Sequence, residues 1–217
     1  MCKTQLSRRE REKKRHKKEI LGAALRLFSE KGFHNVSMQE IAEASEFGVG
    51  TLYNFFESKE QLFVELMKTG IEKFGQLLIP ILDSNKEEEK KLSEFIQAHV
   101  DLIESNIDFI RLYISQYGTT TSVMPMLKNI SIDLKVITAK KLESIIKTGI
   151  QKKIFKRVHP EIVALSLRAA LEAFGLESSE HFDKAKTKDG FSKIEKFFLN
   201  SLLRKKQIMM QKQSDLT

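Results

Sequence analysis

The sequence predicts an all-α protein of about nine helices, and three observations support that prediction. Only 10 of the 217 residues are glycine and 3 are proline, which is too few for the many tight turns of an all-β chain. Apolar residues recur at spacings of three and four along most of the chain, the period of an amphipathic helix. Capping-box patterns and well-placed glycines mark where individual helices begin and end.

The first three predicted helices lie close together near the N-terminus. An apolar face begins at Ile20, and Gly32 ends the helix that carries it. A capping box at 37–40 opens a short second helix that reaches about residue 45. Glycines 48 and 50 bracket the start of a third helix, which runs through residue 56.

The rest of the chain is predicted to form a longer run of helices. A second capping box at 58–61 opens a long fourth helix, which Pro80 is expected to kink or end. Residues 83–91 are charged and polar, and we interpret them as a linker. Helical spacing then covers residues 92–104, 107–117, 123–150, 160–177 and 191–210, with a polar loop predicted at 178–190.

The positive charge is concentrated at the N-terminus. The chain carries a formal net charge of +8, of which residues 1–19 supply +6 from nine Lys and Arg against three Glu. Such a basic arm suits a polyanion, either nucleic acid or an anionic membrane surface, and it also fits a solvated tail.

The sequence offers little for catalysis or metal binding. Cys2 is the only cysteine, which excludes an internal disulfide and a multi-cysteine metal site. There is no phosphate-binding glycine loop, no nucleophile elbow and no pair of His ligands at i, i+4. We therefore predict a protein that is not an enzyme and has no metal or cofactor. The polar N-terminus and the absence of a long apolar run predict a cytoplasmic protein.

Two short helices joined by a tight turn, after a longer helix, form a helix-turn-helix. The run Gly50-Thr51-Leu52-Tyr53, followed by Phe56 and Ser58-Lys59-Glu60, resembles the tetracycline-repressor (TetR) family, as do residues 23–33 and 37–42. The resemblance covers residues 20–66. It implies an N-terminal arm at 1–19, a DNA-binding domain at 20–66, and an effector-binding and dimerisation domain at 67–217.

The resemblance also implies which residues contact DNA. The third helix would be the recognition helix, with Thr51 and Tyr53 on phosphates or base edges, while Lys59 would clamp a phosphate. The full set of implied DNA-binding residues is Ser37, Gly50, Thr51, Tyr53, Asn54 and Lys59.

Three residues depart from the family pattern. Glu46 stands where the turn glycine is usual, Gly48 replaces a capping serine, and Phe55 replaces a phosphate-donating His or Tyr. A non-glycine residue in the left-handed conformation costs about 1 kcal/mol, and losing the serine cap costs a few tenths. The basic arm is expected to supply additional phosphate contacts.

An effector site is predicted among the later helices. His99 lies in an apolar setting, as a core histidine would, and it could also serve with Tyr113 as a polar group in an apolar pocket. Such an aromatic stripe also fits a plain core. The predicted ligand-binding residues are Phe95, His99, Phe109, Tyr113, Tyr117, Met126 and Phe174.

The last two helices are predicted to build a homodimer. Small residues in 160–177 allow close helix packing, and an apolar stripe continues in the final helix. The predicted dimerisation residues are Ala170, Phe174, Ile194, Phe198 and Leu202.

These features favour a DNA-binding transcriptional regulator. In the leading hypothesis, a homodimer represses from a palindromic double-stranded DNA operator, is released by a small, largely apolar molecule, and has no membrane partner. A regulator controlled by a protein partner without a small-molecule pocket is one alternative. A helical module that binds anionic membranes through the basic arm is the other.

Overall fold

The computed structural model describes the backbone of residues 7–115 and 124–204, and the side chains of these residues outside 114–132. Within this part of the chain there are nine α-helices and no strand beyond an isolated bridge between Phe155 and Leu203, which confirms the predicted all-α class. The helices are α1 Arg8–Lys31, α2 Met38–Ala44, α3 Val49–Phe55, α4 Lys59–Leu82, α5 Glu88–Ser105, α6 Ile107–Ser115, α7 Met124–Gln151, α8 Pro160–Glu180 and α9 Lys184–Leu202, and a 3₁₀ turn spans Phe33–Asn35.

The first three helices enclose a small apolar core. Helix α1 contributes a buried face that includes Ile20 and Phe28. Helices α2 and α3 add Ile41 and Leu52, which are both 0% exposed. The Phe28 ring lies edge-on to Phe63 of α4, with the ring centres 5.6 Å apart. Helix α4 therefore completes this core, and its length carries it on into the larger set of helices.

Helix α1 begins at Arg8, well before the predicted start at Ile20. The hydroxyl of Ser7 accepts a hydrogen bond from the amide of Glu10, and the Glu10 carboxylate accepts from the amide of Ser7 at 2.8 Å. This capping box satisfies amide groups that the helix itself leaves without partners. Most of the predicted basic arm is therefore the first half of α1.

Four later helix boundaries also differ from the predicted ones. Helix α4 continues past Pro80 to Leu82, and α5 begins inside the predicted linker. The predicted polar loop at 178–190 is wrong, because α8 extends to Glu180 and α9 starts at Lys184. The carboxylate of Asp183 accepts from the amide of Lys186 at 3.0 Å and so caps α9 earlier than the apolar pattern indicates.

The larger domain packs its helices around α5. Helix α5 contacts α4, α7, α8 and α9, while α7 packs between α4 and α8. Helix α6 touches α1 on one side and α8 on the other, so it links the two parts of the molecule. In the part of the chain that the structure describes, no helix is long and apolar enough to span a bilayer.

Candidate functional site

Helix α3 presents one face to solvent and buries the other. Leu52 is 0% exposed, whereas Tyr53 is 53% exposed and its neighbour Asn54 is also exposed. Gly50 lies on the surface and Thr51 is half-buried. The predicted recognition helix thus places Gly50, Thr51, Tyr53 and Asn54 where they could reach a ligand, and Leu52 holds the helix to the core.

The turn between α2 and α3 adopts the strained conformation that the sequence predicts. Glu46 has φ 60°, in the left-handed region, and the following amide of Phe47 donates to the carbonyl of Ala42 at 3.0 Å. Gly48 is the N-cap of α3 and makes no side-chain capping bond. The turn therefore closes despite the missing glycine.

Ser37 lies at the N-terminus of α2 and closes a capping box with Glu40. Its hydroxyl accepts from the Glu40 amide at 3.2 Å, and its own amide donates to the Glu40 carboxylate at 2.8 Å. Lys31 donates to the same carboxylate at 2.8 Å. The bonds from Lys31 and then from Ser37 lower the pKa of Glu40 to about 2. Ser37 therefore fixes the position of α2, as a cap.

Lys59 is engaged inside the protein, and the phosphate clamp stays a prediction. Its ammonium group donates to the carbonyls of Phe33 at 2.9 Å and of Val36 at 2.8 Å. It also lies 4.6 Å from the centre of the Phe33 ring. These contacts join the start of α4 to the 3₁₀ turn, a structural role that its position in the motif does not reveal.

We expect Lys59→Met to destabilise the N-terminal domain, because both carbonyls lose a charged donor. Hydrogen bonds to charged groups contribute about 1.5–3 kcal/mol, so the melting temperature should fall by several degrees. Lys193→Met, which removes an exposed i, i+4 ion pair with Asp189, is the control and should change little. An unchanged melting temperature with weakened DNA binding would contradict this structural role and support the phosphate clamp.

Two lysines in the basic first half of α1 lie near aromatic rings at the C-terminal end of the recognition helix. The ammonium of Lys13 lies 6.0 Å from the centre of the Phe55 ring, and that of Lys17 lies 5.8 Å from the Phe56 ring. Lys17 also pairs with Glu65 of α4 at 2.6 Å. Lys13 therefore places a positive charge close to the C-terminal end of α3, while the charge of Lys17 is balanced by Glu65. The Ser7–Glu10 capping pattern is the sequence signal that could have revealed this placement.

A cavity of about 170 Å³ lies among α4 to α8 of the larger domain. Four predicted ligand-binding residues line it: Phe95, His99, Phe109 and Tyr113. Apolar side chains form most of the remaining wall, among them Ile71, Phe74, Leu78, Leu102, Ile103, Ile110, Leu134, Leu171 and Leu176. The structure therefore brings these four residues together around one apolar space.

Phe174 does not line the cavity, contrary to the prediction. Its ring packs edge-on against Phe191 of α9, with centres 5.0 Å apart, and covers Gly190. Leu171 and Gly175, on the neighbouring face of α8, line the cavity instead. Successive helical residues point about 100° apart, so a stripe defined by residue type alone can include the wrong face. Tyr117 and the side chain of Met126 lie outside the described residues.

His99 is held in the neutral form. Its Nδ1 lies 2.8 Å from the carbonyl oxygen of Phe95, and a neutral ring donates its proton there. Burial lowers the pKa of His99 to about 4, and hydrogen bonds to backbone carbonyls offset only part of that effect. The cavity wall thus carries an uncharged imidazole at neutral pH.

This depressed pKa predicts a pH dependence of stability. An unfolded histidine titrates near 6.5, so between about pH 6.5 and 4 the unfolded chain binds more protons than the folded one. The contribution of His99 to the free energy of unfolding should therefore be lost as the pH falls through that window. In His99→Gln, the free energy of unfolding should no longer fall with pH for this reason. His181→Gln, at an exposed position, should keep the wild-type pH dependence. Denaturant titrations at several pH values give the free energies of unfolding. An equal dependence on pH in both variants would contradict the prediction.

One polar edge of the cavity was not predicted. Glu172 of α8 accepts from Lys135 of α7 at 2.5 Å and from Arg168 at 2.8 Å, and all three residues line the cavity. Arg168 and Glu172 lie at i, i+4, a spacing usually seen on solvated helix faces, while Lys135 reaches them from another helix. Only the fold shows that this cluster borders an apolar space. In the described part of the chain, no group of three His, Cys, Asp or Glu side chains could hold a metal ion.

The predicted dimerisation residues are less exposed than expected. Leu202 is 1% exposed, because the backbone bridge between Phe155 and Leu203 draws the end of α9 into the core, so its assignment to an interface is wrong. Ala170, Phe174, Ile194 and Phe198 are half-buried. The large apolar side chains that do face solvent on α8 and α9 are Ile162 at 59%, Leu165 at 49% and Phe197 at 68%.

Comparison with known proteins identifies the family. Residues 20–66 match the model of the bacterial regulatory proteins of the tetR family. A fatty acid metabolism regulator protein of Bacillus subtilis is 31% identical over 88 residues, which are 39% of this chain and 44% of that protein. The chain belongs to the tetR family. Residues 20–66 form the helix-turn-helix domain of that family, which confirms the predicted family and the all-α fold.

Solved structures extend the likeness to the larger domain at the level of the fold. The Bacillus subtilis regulator FadR in complex with stearoyl-CoA superimposes with a TM-score of 0.70 at 16% identity, over 84% of this chain and 97% of that one. AibR in complex with isovaleryl coenzyme A and operator DNA gives 0.62 at 21% identity, over 81% and 95%. In sequence, however, the match spans less than half the length of the Bacillus subtilis relative, at 44%. The Bacillus subtilis relative and FadR are both named as regulators.

Proposed function

We propose that this tetR-family protein represses transcription as a homodimer on a palindromic DNA operator, and that a largely apolar small molecule releases it. The observation that carries the proposal is the exposed face of α3, with Tyr53 at its centre, beside the cationic first half of α1. A single helix-turn-helix reads only a few base pairs, so two copies related by a two-fold axis would read a palindrome.

The cavity supports control by a small molecule rather than by a protein partner. The second half of α4 lines it, away from the start of α4 that follows α3, and α6 connects its wall to α1. A ligand that favours one arrangement of α4 and α6 would alter the spacing of the two recognition helices, which must match successive major grooves. The relatives solved with stearoyl-CoA and isovaleryl coenzyme A support a ligand with an apolar part.

Selection of bound DNA from a random pool tests the DNA-binding part of the proposal. We expect recovered sites to be palindromic, with half-sites about one helical turn apart. Binding with no sequence preference, or preference for anionic vesicles over DNA, would contradict it and favour the membrane-binding alternative.

Lys13→Gln should weaken binding to all DNA sequences without changing the preferred site. Lys13 lies beside the recognition helix, so its charge is placed to release a counterion from a phosphate and not to read bases. The slope of log affinity against log salt should fall by about one unit in binding titrations. Lys196→Gln on α9 removes the same charge from an exposed site far from α3 and should leave the slope unchanged. A slope that moves equally in both variants would place the DNA elsewhere.

A further inference from the structure

We infer that the cavity takes an amphiphilic anion, with a compact apolar tail inside and an acidic head on Lys135 and Arg168. This inference rests on the proposed ligand control and adds the chemical class of the ligand. It follows from three properties of the site: the apolar wall, the size of the space, and the imbalance of charge at one edge.

The wall and the volume define the tail. Aromatic and aliphatic side chains from α4, α5 and α6, such as Ile71, Phe95 and Phe109, surround the space, and a tail that displaces water from them gains the hydrophobic free energy of burial. The cavity of about 170 Å³ is close in size to an engineered cavity of roughly 150 Å³ that binds benzene. A tail of about six carbons therefore fits the space as it stands.

The charge at the α7–α8 edge defines the head. Lys135 and Arg168 share the single carboxylate of Glu172, so this cluster has an excess of one positive charge. The three side chains are only 35%, 22% and 30% exposed, so solvent screens that charge less than it would at the surface. A carboxylate or phosphate on the ligand would balance the second cation, whereas a neutral or cationic head would not.

His99, a polar group in the α5 part of the cavity wall, does not compete for the acidic head of the ligand. His99 is neutral because burial lowers its pKa to about 4, so it offers hydrogen bonding without charge. An acidic head at His99 would be buried without a cation, which is unfavourable. The ligand therefore has one preferred orientation, with its anion at Lys135 and Arg168 and its tail between α4, α5 and α6.

Calorimetric titration of the purified protein with hexanoate and 1-hexanol tests the inference without DNA. These two probes share a tail and differ in the head. We expect hexanoate to bind at least tenfold more tightly than hexanol, and Lys135→Met to remove most of that difference while leaving hexanol binding unchanged. Glu172→Gln should act in the opposite direction and tighten hexanoate binding, because the local charge rises. Lys147→Met, which removes a charge from the same helix outside the cavity, is the matched control.

A purely structural role for the cluster predicts a different pattern. In that case Lys135→Met and Glu172→Gln would weaken hexanoate and hexanol alike, which would overturn the inference. Tighter binding of hexadecanoate than of hexanoate would overturn the compact tail. Hexyl phosphate distinguishes the two acidic heads: if it binds more tightly than hexanoate and also depends on Lys135, the head is a phosphate, and otherwise it is a carboxylate. If the wild-type protein binds its operator but binds neither hexanoate nor 1-hexanol, this inference is refuted and the DNA-binding part of the proposed function stands.

Discussion

Replacing Phe197 and Ile162 by Glu is expected to give a folded monomer that binds its operator at least about 100-fold more weakly. Phe197 and Ile162 are 68% and 59% exposed, more than expected for large apolar side chains in a monomer core. Phe174 packs over Gly190 and Phe155 pairs with Leu203, so α9 runs antiparallel to α8 and places Phe197 beside the first half of α8. Two copies meeting on this face would form a four-helix bundle, and a buried Glu at such an anchor costs several kcal/mol.

Sedimentation and operator titration of the same samples measure both effects. Leu77→Glu on α4 is the matched control, because Leu77 is 42% exposed and lies away from α8 and α9. It should stay dimeric and bind the operator normally. Leu202→Glu is unsuitable as an interface test, since Leu202 is buried and the charge would unfold the monomer. A double variant that remains a dimer would place the interface on another surface.

The elements that sequence alone predicted are those whose signals are local. Ser37 closes the predicted capping box, and Ser58 caps α4 through the amide of Gln61, although the Gln61 side chain accepts from Glu57. Glu46 adopts the left-handed conformation that its position in the turn requires. The apolar spacing around Ile41 and Leu52 identified the buried faces of α2 and α3. In each case the chemistry that decides the structure lies within about four residues.

What the sequence did not reveal depends on partners far along the chain. The motif position of Lys59 does not reveal its bonds to the carbonyls of Phe33 and Val36, which only the fold shows. Leu202 continues an apolar stripe, but its burial depends on the bridge between Phe155 and Leu203. The charged first half of α1 lacks an apolar face and is instead stabilised by its cap and by pairs such as Arg8–Glu12 and Arg15–Glu19.

Gly70→Ala is expected to uncouple the cavity from DNA binding and to lower stability. A Cβ atom at Gly70 would lie 2.0 Å from Cε2 of Phe109, so the ring must move. Phe109 lines the cavity and also packs edge-on against Phe74 of α4, with ring centres 5.3 Å apart. A displaced ring would either fill part of the ligand space or push α6 away from α4. We expect a loss of about 1–3 kcal/mol in the free energy of unfolding, as in other overpacked cores, and a weakened response to the ligand.

A second glycine separates this effect from helix propensity. Gly22→Ala in α1 places its methyl group in open space, with no atom within 4 Å, and should stabilise the protein by about 0.5–1 kcal/mol with the ligand response intact. Adding Phe109→Leu to Gly70→Ala shortens the side chain that clashes and should recover part of the stability. Denaturant titration gives the free energies, and operator binding with and without ligand gives the coupling. If Gly70→Ala keeps the wild-type coupling, α6 can separate from α4 without consequence for α3, and the signal must pass through other helices.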